Sequence, residues 1–393
     1  MEWKEVDICQ LCDSVSETYN GNASEVVLIN TSDVLDGKCL NHEYVPNKKL
    51  KGQFKKTFRK GDILYSEIRP ANKRFCFVDF EPKDYIASTK LMVLRAHEDV
   101  DPQYLYQILR SNDTLAQLQM LAESRSGTFP QITYSELSNI MVSLPSQKAQ
   151  KNIVSILSSL DRKIELNNKI NADLEEMAQA VFKNWLVDFE PFKDGKFVDS
   201  ELGMIPEGWK VGTLEDIAEI TMGQSPAGNS LNENREGMIF YQGSSDFGFR
   251  FPSIRVFTTE PKRLAVANSV LFSVRAPVGD INVAKEECCI GRGVASIKSK
   301  YGHDSYLFYT MKSLHKLFDS FDGEGTVFGS INKKTLSAIQ ILLPSDGIVE
   351  QFNNIASSFD DRIRSLSDEN SRLSLLRDTL LPRLMSGELE VPE

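Results

Sequence analysis

The sequence predicts an α+β fold: two mixed α/β domains, each followed by a long helix, with the two helices paired as a coiled coil. Three observations lead to this prediction. The chain of 393 residues contains a long internal repeat. Each copy opens with alternating apolar segments typical of strands. Each copy ends in a heptad pattern that continues over several helical turns.

The repeat is clearest around two Gly-Thr segments. "GTFPQITYSELSNIMVSLP" (127–145) matches "GTVFGSINKKTLSAIQILLP" (325–344), and the match continues until "LSSLDRKIEL" (157–166) meets "SSFDDRIRSL" (357–366). Upstream, "GDILYSEIRP" (61–70) resembles "NSVLFSVRAP" (268–277), and "YLYQILRS" (104–111) resembles "YLFYTMKS" (306–313). Matches that keep one order along the chain indicate a tandem duplication of a unit of about 200 residues.

The first part of each copy mixes strands with helices. "DILYSEI", "KLMVLRA" and "IMVSLP" in the first copy, and "SVLFSVR", "VASIK" and "IQILLP" in the second, have the β-branched alternation of strands. "PQYLYQILRSNDTLAQLQML" (102–121) predicts a helix between two of them. A mixed sheet with packed helices is therefore expected in each domain.

The end of each copy predicts a long helix. Seam residues recur four and three apart from Ile153 to Trp185 and from Phe352 to Leu384. A lone amphipathic helix of this length would leave its apolar stripe in water, so we expect the two helices to pair. The predicted interface comprises Leu157, Leu160, Ile164, Asn171, Leu174, Val181, Phe359, Ile363, Leu366, Asn370, Leu373 and Leu380.

Two repeated polar positions leave alternatives open. Asn171 and Asn370 occupy equivalent seam positions; either they meet near an intramolecular two-fold axis and fix the register, or both face solvent after a local shift of the stripe. Asp161 and Asp360 are also equivalent, and helix capping, partner docking and solubility remain open for them.

These patterns predict the domain boundaries. A linker rich in Pro, Gly and acidic residues separates the copies. The predicted segments are a first α/β domain (1–145), a first helical region (146–188), the linker (189–207), a second α/β domain (208–344), a second helical region (345–386) and a C-terminal tail (387–393).

Composition predicts a soluble, cytoplasmic protein that binds no membrane. No run of about 18 apolar residues occurs, and the charged start "MEWKEVDICQ" is unlike a signal peptide. The net charge of −10 argues against a surface that is basic throughout. The run "KKLKGQFKKTFRKG" (48–61) is locally basic, which fits either a nucleic-acid groove or a solvated lysine-rich loop.

Catalytic motifs are missing from the sequence. It contains no GxxxxGK[ST], GxGxxG, HExxH or GxSxG motif. Glu81-Pro-Lys83 and Glu260-Pro-Lys262 have the acid-x-lysine form of some nucleases, but neither has a convincing acidic partner upstream. These observations favour a binding protein over an enzyme.

One cysteine spacing could hold zinc. Cys9, Cys12, Cys39 and His42 form a CxxC…CxxH pattern. Alternatively, Cys9 and Cys12 lie on a short helix without any metal, which the flanking Ile8 and Leu11 favour. We expect the cysteines to stay reduced in the cytosol.

The whole chain resembles the specificity subunits of Type I restriction–modification systems. The resemblance is carried by "GTFPQITYSELSNIMVSLP…QKNIVSILSSLDRKIELNNKIN", "FKNWLVDFEPF…DSELGMIPEGW" and "LLPRLMSGELEV". It implies that the two domains (1–145 and 208–344) are target recognition domains, each of which reads one half of an interrupted double-stranded DNA sequence. It further implies that the two helices pack as an antiparallel coiled coil with pseudo-two-fold symmetry and set the spacer. It also implies docking of two methyltransferase subunits and of restriction subunits. S-adenosylmethionine, ATP and Mg²⁺ would then be bound by those partners, and no cofactor by this chain.

Basic and amide side chains of the two domains are the candidate DNA contacts, because Arg and Gln pair with guanine and adenine edges and Lys with phosphates. The first domain offers Lys55, Lys56, Arg59, Arg69, Lys73, Arg74, Arg125, Ser126, Thr128 and Gln131. The second offers Gln242, Ser244, Ser245, Arg250, Arg255, Lys262, Arg263, Arg275 and Arg292.

Two other functions remain possible from the residues alone. One is a protein-binding adaptor with duplicated domains, and the other is a nuclease that uses the acid-x-lysine pairs. The bases that are read do not follow from the sequence.

Overall fold

The computed structural model describes residues 3–48, 52–124, 130–321 and 329–391. The chain divides into two compact units. Unit 1 comprises residues 1–166 and 369–393, and unit 2 comprises residues 167–368. Across the part of the chain that is described, no helix combines the length and apolar character needed to cross a membrane.

The described residues form seven short α-helices and two long ones. The α-helices are α1 (Pro102–Arg110), α2 (Asn112–Ser124), α3 (Tyr134–Ser138), α4 (Gln147–Leu186), α5 (Leu214–Ile217), α6 (Asp304–Ser313), α7 (His315–Phe318), α8 (Lys333–Ser337) and α9 (Asp346–Met385). Helix α1 shows why such a segment starts where it does. The Asp101 side chain accepts hydrogen bonds from the backbone N–H groups of Gln103 and Tyr104, at 2.9 and 3.2 Å, and Pro102 occupies the first turn.

The strands of the first domain are short. They are β1 (Lys4–Asp7), β2 (Cys12–Val15), β3 (Glu25–Ile29), β4 (Val34–Leu35), β5 (Lys38–Cys39), β6 (Val45–Pro46), β7 (Phe54–Lys56), β8 (Ile63–Ser66), β9 (Phe75–Phe77), β10 (Tyr85–Ser88), β11 (Leu91–Ala96) and β12 (Met141–Leu144).

The strands of unit 2 are similar in length. They are β13 (Phe197–Ser200), β14 (Gly203–Pro206), β15 (Lys210–Thr213), β16 (Ala218–Met222), β17 (Leu231–Asn232), β18 (Met238–Tyr241), β19 (Val256–Thr258), β20 (Leu264–Ala265), β21 (Val270–Ser273), β22 (Ile281–Val283), β23 (Cys288–Ile290), β24 (Val294–Ser299) and β25 (Gln340–Leu343).

The sheets confirm the duplication. Unit 1 has a four-stranded sheet in the order β2-β11-β8-β9, and unit 2 has the corresponding order β16-β24-β21-β22. A second sheet runs β6-β3-β10-β7 in unit 1 and β17-β19-β18-β23-β20 in unit 2. In both units the first strand of the domain pairs antiparallel with the strand that precedes the long helix, as β1 with β12 and as β15 with β25. Each domain therefore closes on itself just before its long helix begins.

The two long helices pack antiparallel within each unit, as predicted. In unit 1, Arg377 Nη1 lies 2.8 Å from Asp161 Oδ1, and Lys163 Nζ lies 3.4 Å from Glu369 Oε2, so positions that rise along α4 fall along α9. In unit 2, the rings of Phe182 of α4 and Phe352 of α9 are 5.4 Å apart and edge to face. All the predicted interface residues are buried or partly buried.

Each unit has its own apolar core that includes both helices. In unit 1, Ile153 and Leu157 of α4 and Leu384 of α9 join the domain residues Leu105 and Ile8 in one cluster. The unit 2 cluster is built in the same way, from Ala178, Phe182, Phe352 and Ala356 of the helices together with domain residues such as Phe272 and Trp209. Burying this apolar surface is what holds each helix pair on its domain.

The predicted linker is more structured than its composition indicates. Residues 197–206 form an antiparallel hairpin of β13 and β14, with Phe197 paired to Pro206 and Ser200 to Gly203. The preceding turn places the rings of Phe189 and Phe192 5.3 and 5.4 Å from the Trp209 ring. Gly203 has a positive φ of 95°, which a tight turn needs and which explains why this segment looks like a loop in sequence.

The polar positions of the seam are buried on α4. Asn171 is 3% exposed, so it does not face solvent, whereas Asn370 is partly buried. Pairing of the two asparagines with each other stays a prediction.

Candidate nucleic-acid interface

The same set of three backbone hydrogen bonds, which we call the frame, occurs once in each domain. It lies just after strand β8 (Ile63–Ser66) in the first domain and just after strand β21 (Val270–Ser273) in the second. In the first domain, Glu67 N–H donates to Lys90 O at 3.1 Å, and Ile132 N–H donates to Glu67 O at 2.8 Å. Arg69 N–H completes the frame by donating to Pro130 O at 3.1 Å. These bonds bring three distant segments of the chain to one place.

The second domain repeats each of these bonds. Val274 N–H donates to Gly293 O at 3.0 Å, Ile331 N–H donates to Val274 O at 3.1 Å, and Ala276 N–H donates to Gly329 O at 3.2 Å. The frame is thus made by main-chain atoms, and the side chains that it presents differ between the domains.

The first frame carries a set of polar side chains that we call the first polar edge: Lys56, Glu67, Arg69, Lys90 and Gln131. Lys90 Nζ lies 3.5 Å from Glu67 Oε2 and 3.3 Å from Gln131 Oε1. Arg69 and Lys90 are exposed, and Gln131 is partly buried. Two cations and an amide thus share one solvent-facing edge, an arrangement suited to phosphates and base edges.

Lys56 differs from the other members of this edge. Its Nζ donates to the backbone oxygens of Thr89 and Leu91, at 3.2 and 2.8 Å. Burial lowers the pKa of Lys56, Glu67 opposes that shift and Lys90 adds to it. Lys56 therefore holds the turn at residues 88–91, which carries Lys90, and places a partly buried positive charge beside the first polar edge.

Backbone strain marks the same place. Arg69 and Lys73 have positive φ values of 45° and 51°, and they flank the 3-10 turn Pro70–Asn72. Residues without the freedom of glycine pay about 1–3 kcal/mol for such a conformation, and such strain concentrates at functional sites. Arg69 and Lys73 therefore stay candidate contacts on a turn next to the first frame.

The second frame carries the second polar edge: Ser225, Gln242, Arg275 and Arg292. Ser225 Oγ donates to Gln242 Oε1 at 3.1 Å and accepts from Arg292 N–H at 3.3 Å. Gly293 N–H donates to Gln242 O at 3.1 Å, and a Cβ on Gly293 would lie 2.6 Å from that oxygen, so only glycine fits there. Gln242, Arg275 and Arg292 are exposed.

Several other predicted contacts lie away from these frames. Lys55, Arg59, Lys262 and Arg263 are exposed, while Arg74 is partly buried and donates to Ser32 O at 3.0 Å. Arg125, Ser126 and Thr128 lie outside the described residues.

The loop that follows Gln242 holds the remaining predicted contacts of the second domain. Ser244 and Ser245 lie in a 3-10 turn, with Ser244 partly buried and Ser245 exposed. Arg255 is exposed and its Nε donates to Asp246 Oδ1 at 3.1 Å.

Arg250 corrects the prediction from sequence. Its side chain is only 2% exposed, and its guanidinium donates to Glu175, Asp360 and the Tyr309 hydroxyl. A side chain engaged in this way has no surface to offer DNA, so Arg250 leaves the set of candidate contacts. Lys90 and Ser225, by contrast, were missed in the sequence, because each is a lone polar residue whose neighbours come from distant segments.

The repeated aspartates also receive an explanation. Asp161 accepts from Arg110 Nη1 at 2.9 Å and from Arg377 Nη1 at 2.8 Å. Asp360 accepts from Arg250 Nη1 at 2.5 Å and from the Tyr309 hydroxyl at 3.1 Å. In both units, this aspartate joins the long helix to the domain.

The four residues of the CxxC…CxxH pattern do not form a metal site. Cys12 lies in the core of unit 1 and its Sγ donates to Ile8 O at 3.8 Å, whereas His42 Nδ1 lies 2.9 Å from the Tyr85 hydroxyl. Among the residues that the structure describes, no group of three or more His, Cys, Asp or Glu side chains is arranged to hold a metal ion.

Comparison with known proteins identifies the family. The family model described as Type I restriction modification DNA specificity domain matches residues 2–176 and 206–374. The HindI specificity subunit of Haemophilus influenzae is 32% identical over 465 residues, which cover 99% of this chain and 100% of the relative. A putative MjaX specificity subunit of Methanocaldococcus jannaschii is 32% identical over 344 residues, with 84% of this chain and 79% of the relative covered.

A solved structure shares the fold. The Type I restriction–modification S subunit from M. genitalium matches with a TM-score of 0.55 and 16% identity, and covers 100% of this chain and 97% of its own. The family match over both repeats and the 32% identity to the HindI subunit show that the chain belongs to the Type I restriction–modification specificity family and is a DNA specificity subunit with two recognition domains.

Proposed function

We propose that the first and second polar edges each read one half of an interrupted double-stranded DNA sequence. The observation that carries this proposal is the repeated backbone frame, which presents different side chains at the same place in the two domains. The same main-chain scaffold with different side chains is what two readers of unlike half-sites require. Direct readout comes from Arg and Gln at base edges, and Lys90 holds a phosphate.

Exchange of one domain tests the proposal. Residues 1–145 are replaced by the corresponding domain of another specificity subunit, and the methylated motif is mapped in cells that carry the partner subunits. One half of the motif should change and the other half should persist. A motif altered in both halves would show that the domains do not read independently.

We also propose that the helix pair of each unit docks one methyltransferase subunit, with restriction subunits joining that complex. Ile156 and Leu376 support this for unit 1, because both are exposed large apolar residues. Lys163 and Glu369 form an ion pair between the two helices. Ile156 lies seven residues before Lys163 on α4, and Leu376 lies seven residues after Glu369 on α9. Seven residues are about two helical turns, so both apolar side chains lie on the bridged face at one level.

The repeat supplies the same pair in unit 2. Ile355 corresponds to Ile156 and Met177 to Leu376, by the offset that relates Asp161 to Asp360, and both are exposed. On this proposal, S-adenosylmethionine, ATP and Mg²⁺ are bound by the partners. Changing Ile156 and Leu376 to Glu should remove one methyltransferase copy from the purified complex, as weighed by native mass spectrometry. Retention of both copies would refute this surface.

A further inference from the structure

We propose that Arg250 is a positioning residue: it ties the loop 242–255 to the helix pair of unit 2, so that the second polar edge meets DNA in one orientation. The inference rests on the function proposed above, since it takes the side chains at the start of this loop as DNA readers. It assigns to Arg250 a part in sequence discrimination that is exerted through the loop and without contact with DNA.

The contacts of Arg250 span a domain loop and both long helices. Its Nε and Nη2 donate to Glu175 Oε2 of α4, at 3.2 and 2.8 Å, and its Nη1 donates to Asp360 Oδ1 of α9 at 2.5 Å. Nη2 also donates to the Tyr309 hydroxyl at 3.0 Å. The guanidinium carbon lies 4.0 Å from the centre of the Phe308 ring. One side chain thus meets two carboxylates, a hydroxyl and an aromatic face.

This environment keeps Arg250 charged. Burial alone would lower the pKa of Arg250, but the carboxylates of Asp360 and Glu175 more than offset that effect, and the pKa is raised. Glu175 is buried too and also accepts from Lys312. A buried guanidinium held by two carboxylates breaks its contacts only at a high cost in free energy.

Hydrogen bonds along the loop connect the buried Arg250 side chain to the residues of the second polar edge. Arg250 O accepts from Val283 N–H at 2.9 Å, and Asn282 exchanges hydrogen bonds with the backbone of Gly248 at 3.1 and 2.8 Å. Phe247 N–H donates to Ser244 O at 3.0 Å. Gln242 lies eight residues before Arg250, and these hydrogen bonds at Ser244, Phe247 and Gly248 fix the backbone between them.

In the described part of unit 1, the corresponding aspartate is tied to a helix of the domain instead. Asp161, the counterpart of Asp360, accepts from Arg110, which is the last residue of α1. Arg110 therefore ties a helix to the long helices, whereas Arg250 ties a loop that carries candidate readers. If Arg250 acts by positioning, its loss should disturb one half of the recognised sequence only.

The test uses Arg250→Lys with Arg110→Lys as the matched control. Lysine keeps the charge but loses the planar fork that holds two carboxylates at once. Base preference is measured for the intact complex with its methyltransferase partner, by methylation of a library randomised over both half-sites. Arg250→Lys should lower the preference for the correct base by about tenfold in the half read by the second domain, and leave the other half intact. Arg110→Lys should alter neither half.

Two results of this experiment would contradict the positioning role. Unchanged preference in both halves with Arg250→Lys, or relaxed preference in both, overturns the positioning role. Gln242→Ala in the same library separates the two proposals: if it relaxes the second half while Arg250→Lys does not, the second polar edge stands and the positioning role falls. If Gln242→Ala has no effect either, the second polar edge is itself wrong.

A second variant covers the case in which Arg250→Lys does not fold. Glu175→Gln keeps the shape and an acceptor oxygen for Arg250 while removing one charge. It should relax the same half of the sequence and raise hydrogen exchange in residues 244–253. Full discrimination by a folded Glu175→Gln complex, with unchanged exchange in the loop, counts against the proposal.

Discussion

Replacing Asp161 by Asn should destabilise unit 1 substantially. The carboxylate accepts from Arg110 at 2.9 Å and from Arg377 at 2.8 Å, and the side chains of Asp161, Arg110 and Arg377 are 30%, 10% and 18% exposed. Removing the charge leaves two largely buried guanidinium groups without their shared partner. Fully buried pairs cost about 3–5 kcal/mol when broken and exposed pairs about 0–1, so this partly buried site should cost about 2–3 kcal/mol.

The assay is calorimetric unfolding of the full chain. For a unit of this size, about 2–4 °C of melting temperature accompanies each kcal/mol, so Asp161→Asn should lower the melting temperature by about 4–12 °C. The matched control is Glu165→Gln on the exposed face of the same helix, which should stay within about 0.5 kcal/mol of the parent. Combining Asp161→Asn with Arg377→Gln should cost less than the sum of the two single changes, because both changes remove the same Asp161–Arg377 ion pair, which can be lost only once. Equal melting temperatures for Asp161→Asn and Glu165→Gln would refute the role given to this aspartate.

Three further outcomes follow from the described contacts. Lys90→Ala should reduce the slope of log affinity for DNA against log salt concentration by about 0.9, because one phosphate contact is lost. The control Lys4→Ala, on a strand outside the first polar edge, should leave this slope unchanged. Equal slopes for the two variants would remove Lys90 from the interface. Phe352→Ala should destabilise unit 2 by about 3–5 kcal/mol in denaturant unfolding, because the ring is fully buried among aromatic neighbours, and a loss below about 1 kcal/mol would contradict this packing. Burial raises the pKa of Cys12 to about 12, so alkylation of the native chain at pH 8 should modify the exposed Cys9 and spare Cys12; mass spectrometry that finds both modified at one rate would contradict this.

Local periodicity explains which parts of the fold were predictable. The predicted helical regions 146–188 and 345–386 differ by two residues or fewer at each end from α4 (Gln147–Leu186) and α9 (Asp346–Met385). A heptad pattern sustained over many turns is readable without knowledge of the rest of the chain. The hairpin of β13 and β14 was hidden, since its turn residues are also those of an unstructured linker.

The contacts in the candidate site join residues that are far apart in the chain, so the sequence alone did not predict them. No acidic residue that pairs with Arg250 is close to it in the sequence, and only the fold brings it to carboxylates 75 and 110 residues away in the chain. The first polar edge likewise joins segments near positions 68, 90 and 131, so that Arg69 and Gln131 were predicted singly whereas Lys90 was overlooked. Residue type alone identified several members of each edge, but not which members share one.

The main-chain frame under the two polar edges has an evolutionary consequence. Because the hydrogen bonds run between N–H and C=O groups, most side chains at the frame can be exchanged without loss of the bonds that shape it. Glu67 and Val274 occupy one frame position, yet the geometry is retained; Gly293 is an exception, because only glycine fits at its position in the second domain. If the polar edges read DNA as proposed, point substitution of their exposed side chains changes the target sequence while the backbone hydrogen bonds of the frame are kept.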